Sequence, residues 1–230
     1  MDIGEIVTSS FYYAKEGLIG HWRRWFILII GTVIFPILYG YTVRVMQGNG
    51  TAPEVEGYLS LFFDGLKLVL IQIIYAVPAI ILTIATVTSA LSFDGPVFSS
   101  SVAFTPGLAT AGLLLALIIY LIAYTLILPM ALVSFARSSR IGEAFQFNKI
   151  LAIIRSIGWI EYILALIILF VIMAGISVVI QILSFIGIII PLFYILIMIL
   201  SFAISPLVSI FHARYVRGIF LHGEPDQKII

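Results

Sequence analysis

Five apolar runs separated by short polar stretches set the pattern of this chain. Four of them, at 66–91, 108–135, 159–184 and 188–216, are long enough for an α-helix to cross the ~30 Å hydrocarbon core of a bilayer, which takes ~20 residues. Pro129, Pro191 and Pro206 are expected to bend these spans, the freed backbone groups being satisfied by neighbouring helices. The first run, 25–41, barely reaches the required length and is broken by Gly31, Pro36 and Gly40.

Two stretches carry a helical rather than a continuous apolar pattern. Residues 2–22 place Ile3, Ile6, Val7 and Ala14 on one stripe, with Asp2 as N-cap and Glu5 in a capping-box position. This helix either lies on a membrane surface or packs on the protein's own loops. In 139–156, Phe147, Ile150, Leu151 and Ile154 face one way while Asn148, Lys149 and Arg155 face the other. Each stretch delivers the chain into an apolar run beside tryptophan, at Trp22 and Trp25 and again at Trp159, as interfacial anchors do. Of the connections, 44–56 has the turn chemistry of Gly48, Asn49, Gly50 and Pro53. Residues 58–67 read as a short interfacial helix with Asp64 and Lys67 paired, 92–107 as a neutral loop, Gly187 as the centre of a tight turn, and 222–230 as a mobile polar tail. The expected fold is all-α: a single membrane domain over 1–230, a bundle of four full spans, a short Pro-broken first segment and two amphipathic interfacial helices.

Composition agrees: 62% of the 230 residues are hydrophobic and the mean hydropathy is +1.21, well beyond soluble domains. No cleavable signal peptide is expected, since Asp2, Glu5, Lys15 and Glu16 interrupt the first twenty residues. The absence of cysteine excludes disulfides and thiol chemistry. A net charge of +1 argues against nucleic acid as a partner, so the charges are informative mainly about topology.

All twelve Lys and Arg fall in the N-terminal segment, 44–67, 137–155 and the segment from Arg214, while 92–107 and 185–190 have none. The positive-inside rule then places the basic segments and both termini in the cytoplasm of a multi-pass cell-membrane protein. Arg24 and Arg44 flank the first apolar run, so a single crossing there would break the alternation of sides. The preferred reading is that 25–41 enters and returns near Pro36; the alternative is a short kinked fifth span. A parallel internal repeat starting at 3 and 141 is a further expectation, because Ile3-Gly4-Glu5 recurs as Ile141-Gly142-Glu143 and Gly20 as Gly158 at the same offset.

The chemistry is sparse. No metalloprotease, nucleophile-elbow or phosphate-loop motif occurs, and His21, His212 and His222 are read as separate interfacial residues, so no catalytic residue, metal site or cofactor is expected. Glu161, the acidic residue nearest a span interior, is read as a snorkelling or ion-paired interfacial carboxylate, with Arg155 and Arg214 as the candidate partners. The candidate functional residues are cations for anionic lipid, Arg23, Arg24, Arg140, Lys149 and Arg155, and a polar stripe of Gln72, Tyr75, Thr83, Thr86, Ser201, Ser205 and Ser209.

GYTVRV at 40–45, LFFDGLK at 61–67, IYAVP at 74–78, RIGEAFQF at 140–147 and RSIGWIEY at 155–162 resemble an uncharacterised archaeal integral-membrane family known only as a domain of unknown function. More distantly, an amphipathic stretch feeding a span is similar to membrane domains fused to glycerophosphodiester phosphodiesterases, although no phosphodiesterase domain accompanies it here. The resemblance implies fold and membrane location and no activity. The expected function is non-enzymatic: organising membrane lipid, or a membrane-protein partner or second copy, at the cytoplasmic leaflet. Alternatives are a channel, flippase or transporter for a neutral or amphiphilic solute, and an accessory subunit of a larger complex.

Overall fold

The structure is a computed structural model that describes residues 1–48, 50–94, 101–104, 107–189 and 191–224. Eight α-helices follow in order among these residues: α1 (Ile3–Leu18), α2 (Trp22–Val33), α3 (Phe35–Gln47), α4 (Tyr58–Ala90), α5 (Leu108–Ser138), α6 (Phe147–Ile157), α7 (Trp159–Ile189) and α8 (Pro191–His222). Four of them, α4, α5, α7 and α8, are long and apolar enough to cross a membrane, which is the architecture of a multi-pass membrane protein. Their outward apolar side chains, Leu115, Ile118, Ile119 and Ile122 on α5 for example, are more than half exposed and suit lipid.

The short first run resolves into two helices. Backbone helicity stops at Ile34, and Pro36 opens α3 in its first turn, where a missing N–H costs no hydrogen bond. With 12 and 13 residues, α2 and α3 are each about 18–20 Å long, well short of the core thickness. Their outer ends meet at one place: Arg24 pairs with the Glu54 carboxylate at 2.5 Å, and Arg44 donates to the Glu56 carbonyl at 2.6 Å. The pair is therefore a helical hairpin, with both ends on the segment before α4. Tyr41 donates to the Pro53 carbonyl at 2.9 Å, and Trp25 Nε1 to the Ala203 carbonyl on α8 at 2.8 Å.

Glycine lets α3 and α4 touch backbone to backbone. A Cβ on Gly40 would lie 1.8 Å from the Leu61 carbonyl oxygen, and one on Gly65 would lie 1.8 Å from that of Pro36. Small residues permit such approach between membrane helices, where apolar area alone gives little driving force.

Several expectations are revised. The interfacial helix at 58–67 and the following span are one helix, α4, because no breaker separates Lys67 from Leu68; Asp64 and Lys67 pair at 3.0 Å within it. Residues 139–156 divide into a 3-10 turn (Ile141–Phe145) and α6, the turn being held by Lys149 and Gln146, which donate to the Glu143 carboxylate at 2.7 and 2.9 Å. Gly187 sits inside α7 rather than at a turn, and a Cβ there would meet Tyr194 Cα at 2.8 Å. The loop at 92–107 begins and ends in an antiparallel pair, β1 (Leu91–Asp94) and β2 (Ser101–Phe104), with Leu91 opposite Phe104. Asn49, 95–100, 105–106 and the tail from 225 lie outside the described residues.

The chain forms two compact units, Met1–Val69 with Pro129–Ile230, and Leu70–Leu128. In the first, α8 is the common packing partner of α1, α2, α3, α6 and α7, and Leu28, Tyr41, Phe135, Ile154, Tyr162 and Tyr215 are fully buried. Tyr215 donates across to the Ala165 carbonyl of α7 at 2.8 Å. In the second, Ser89 bonds Thr110 at 3.0 Å, and Tyr120 donates to the Tyr75 carbonyl.

Candidate membrane-interface site

Both amphipathic helices spend their apolar stripes on protein. α1 is capped by Asp2, which accepts from the Glu5 amide at 3.1 Å, and it buries Ile6, Ser10, Ala14, Gly17 and Leu18. Its seat is α8, where Gly218 leaves room for Ile6. α6 buries Ile150, Ile153, Ile154 and Ile157 on α7 and α8, while Phe147, expected on that face, is 47% exposed. Phe147 is the first residue of α6, and the buried face is carried by Ile150, Ile153, Ile154 and Ile157. Gly20 and Gly158, which close the two stretches, both have positive φ, +86° and +101°, so the chain reverses sharply ahead of each tryptophan.

The basic segments converge on the C-terminal end of α8. Arg214 donates to the Gly48 carbonyl at 3.2 Å and stacks over the Tyr13 ring at 4.4 Å. Arg137, in the last turn of α5, lies over Phe220 and pairs with Glu224. Ser156 donates to the Gly223 carbonyl, and Gln47 to that of Ala136. Glu224 is thus part of the packed structure, where the sequence suggested a mobile tail.

Each candidate cation has a definite place. Arg23, Arg140 and Arg155 are exposed. Arg24 is not available to a headgroup: it is 6% exposed, donates to the Gly17 carbonyl at 2.8 Å and pairs with Glu54. Burial of an arginine is tolerable only with such partners, so this side chain secures the hairpin instead. Lys149 is exposed but engaged with Glu143. That contact, followed by the Gln146 hydrogen bond, holds the Glu143 carboxyl below its ordinary value. Glu161 pairs with the Met1 ammonium at 3.1 Å, neither with Arg155 nor with Arg214. Burial raises the Tyr41 and Tyr13 hydroxyls above their ordinary range, nearby arginines opposing, so both remain neutral donors.

The polar stripe falls in two places. On α4, Thr83 and Thr86 return their hydroxyls to the Ala79 and Leu82 carbonyls of their own helix at 2.7 Å, Tyr75 is buried and Gln72 half-buried. Such back-bonding uses up the donor and leaves a less polar surface. On α8, Ser201 does the same to Ile197 at 2.8 Å, and with Ser205 it lines a cavity of about 360 Å³ shared with Thr32 and Ser184; Ser209 is half-buried outside it. Among the described residues no three His, Asp or Glu side chains are grouped to hold a metal.

Sequence reasoning passed over Arg137, Arg214 and Arg217 as a group, because nothing local in the sequence brings the end of α5 to α8. The available signal was the i, i+3 spacing of Arg214 and Arg217, which puts two like charges on one helix face at some cost.

Four long apolar helices with exposed apolar side chains, tryptophans at the entry to α2 and α7, and cations at one end of α8 fit a multi-pass membrane protein. No curated protein and no solved structure matches the chain. A family model described as a protein of unknown function, DUF4013, matches residues 25–185, and the chain belongs to that family.

Proposed function

We propose that the protein is a non-enzymatic membrane organiser whose basic face rests on the cytoplasmic leaflet and gathers anionic lipid. The observation carrying this reading is the division of labour in α1, α2 and α6. Arg24 and the apolar stripes of α1 and α6 are consumed in packing, while Arg23, Arg140 and Arg155 are exposed, as are Trp22, Phe147 and Trp159. Cations in such positions gain about 1 kcal/mol each near an anionic surface, so three are worth about 3 kcal/mol, or roughly 100-fold in lipid affinity. Native mass spectrometry of the Arg23→Gln/Arg140→Gln/Arg155→Gln variant should show loss of retained anionic lipid. Unchanged retention would remove the basis of the proposal.

Orientation has its own test, which the cysteine-free chain makes clean. Single cysteines at Gly20, Gly50 and Gly142 should all be labelled from the cytoplasmic side by an impermeant thiol reagent. A residue-50 site labelled from the opposite side would replace the returning hairpin with a fifth span.

The cavity beside Thr32, Ser184, Ser201 and Ser205 favours a second reading, passage of a neutral or amphiphilic solute next to the hairpin. Three of those four hydroxyls donate to their own helix, which suits hydrocarbon better than an ion. Scrambling of a fluorescent lipid in proteoliposomes would decide for it. Service as an accessory subunit would be marked by co-purification of a partner at fixed stoichiometry.

A further inference from the structure

The cavity of about 360 Å³ beside the hairpin has a definite axis. Trp25, at the entry to α2, donates from Nε1 to the Ala203 carbonyl at 2.8 Å, which sets the first turn of α2 level with Ala203 of α8. Thr32 stands seven residues beyond Trp25, and Ile197 six residues from Ala203, about 10 and 9 Å along their helices. Both line the cavity, as do Phe202 and Ser205 next to Ala203. The space is therefore a slot about 10 Å long that runs along α2 from the level of an interfacial tryptophan to the tip of the hairpin. None of its described lining residues is charged, so an ionic group would enter it without a partner.

The two ends of the slot differ in polarity. Toward the tip, Thr32, Ser184 and Ser201 donate to carbonyls of their own helices at 3.1, 2.8 and 2.8 Å, which leaves a wall suited to hydrocarbon. At the other end two groups stay open. Ser205 is half-buried in the wall and makes no hydrogen bond among the described residues. Pro206 lies inside α8 and has no N–H, so the Phe202 carbonyl lacks the donor that a helix returns from four residues on. The nearby Trp25 indole is already spent on Ala203. An unmet hydroxyl and an unmet carbonyl, side by side in an apolar slot, are costly unless a ligand meets both.

We propose that this slot binds one neutral lipid that carries a free hydroxyl, such as a diacylglycerol or a long-chain alcohol. The ligand O–H donates to the Phe202 carbonyl and its oxygen accepts from Ser205, while one chain lies along α2 as far as Thr32. A hydroxyl is the smallest group that is donor and acceptor at once, which is what this pair requires. The inference takes up the cavity of the solute-passage reading and rests on it for location alone, since a resident lipid needs no passage across the membrane. It is independent of the exposed cations.

The test uses the full chain in phosphatidylcholine nanodiscs, with dioctanoylglycerol and its methyl ether titrated by native mass spectrometry. The expected result is one dioctanoylglycerol bound at least tenfold more tightly than the ether, which cannot donate. Ser205→Ala should weaken the alcohol at least threefold. Pro206→Ala returns an N–H to the Phe202 carbonyl and should erase most of the preference for alcohol over ether, whereas a merely structural proline would move the melting temperature alone. Ser205→Ala removes a single heavy atom and keeps the test open should the proline variant fail to fold. Thr32→Phe, which fills the slot from α2, should abolish binding of both ligands. The Arg23→Gln/Arg140→Gln/Arg155→Gln variant should bind dioctanoylglycerol as the unmodified protein does. Binding without lipid scrambling keeps this proposal and retires passage; scrambling without preference for the alcohol keeps passage and overturns this proposal. Equal affinity for alcohol and ether, tighter binding of dioctanoylphosphatidic acid, or binding unchanged in a folded Ser205→Ala protein also overturns it.

Discussion

Replacing Gly65 by alanine tests the contact on which the hairpin depends. The new Cβ would stand 1.8 Å from the Pro36 carbonyl oxygen and 2.7 Å from the Gly40 amide nitrogen. Carbon and carbonyl oxygen do not ordinarily approach closer than about 3.3 Å, so α3 and α4 must part by roughly 1.5 Å. Both neighbours are backbone, so no side-chain rotation can relieve the clash. Overpacking costs about 1–3 kcal/mol or more, and the improved helix propensity of alanine returns at most about 1 kcal/mol. A net loss of about 2 kcal/mol should lower Tm by about 4–8 °C for a chain of this size. Gly175→Ala in α7 is the control, since a Cβ there meets nothing within 4 Å, and it should be neutral or stabilising by about 0.5–1 kcal/mol. Tryptophan fluorescence on heating in detergent reads both variants. A Gly65→Ala melt that coincides with Gly175→Ala would refute the close crossing of α3 and α4.

Other consequences follow from the same contacts. Glu54→Gln should cost about 1.5–3 kcal/mol, the worth of a hydrogen bond to a charged group, because it leaves the buried Arg24 with the Gly17 carbonyl as its named partner; thermal melting and protease sensitivity near residue 50 would show it. Tyr41→Phe removes the bond to the Pro53 carbonyl and should cost about 1 kcal/mol by the same melt, since the buried hydroxyl is neutral throughout the accessible pH range. The Glu143 carboxyl is held below its ordinary value of 4.5, so its contribution is whole above that pH and is lost as pH falls through the depressed folded value. Glu143→Gln should abolish that acid-side loss around the 3-10 turn, detectable as a protection from amide exchange at residues 147–150 that, once corrected for the intrinsic pH dependence of exchange, no longer changes with pH.

The sequence by itself determined that four helices are long and apolar enough to cross a membrane and that the first run is interrupted near Pro36, because apolar length, helical period and proline act locally and need no partner. It also located the basic segments, since charge is written residue by residue. It did not determine what the amphipathic stripes cover. A stripe such as Ile6 and Ala14 fits a bilayer surface and a helix surface equally well, and only the room left by Gly218 on α8 decides for protein. Likewise Arg23 and Arg24 are neighbours of one residue type, yet a helix turns each successive side chain by about 100°. One faces outward and the other is drawn inside against Glu54, thirty residues away. The placement of Arg214 has the same origin. Arg214 is held in place only because Tyr13 and Gly48, distant in sequence, meet its guanidinium. Pairings over such separations depend on which helices pack together, and that is settled by backbone approach at a few glycines, which periodicity and composition do not record.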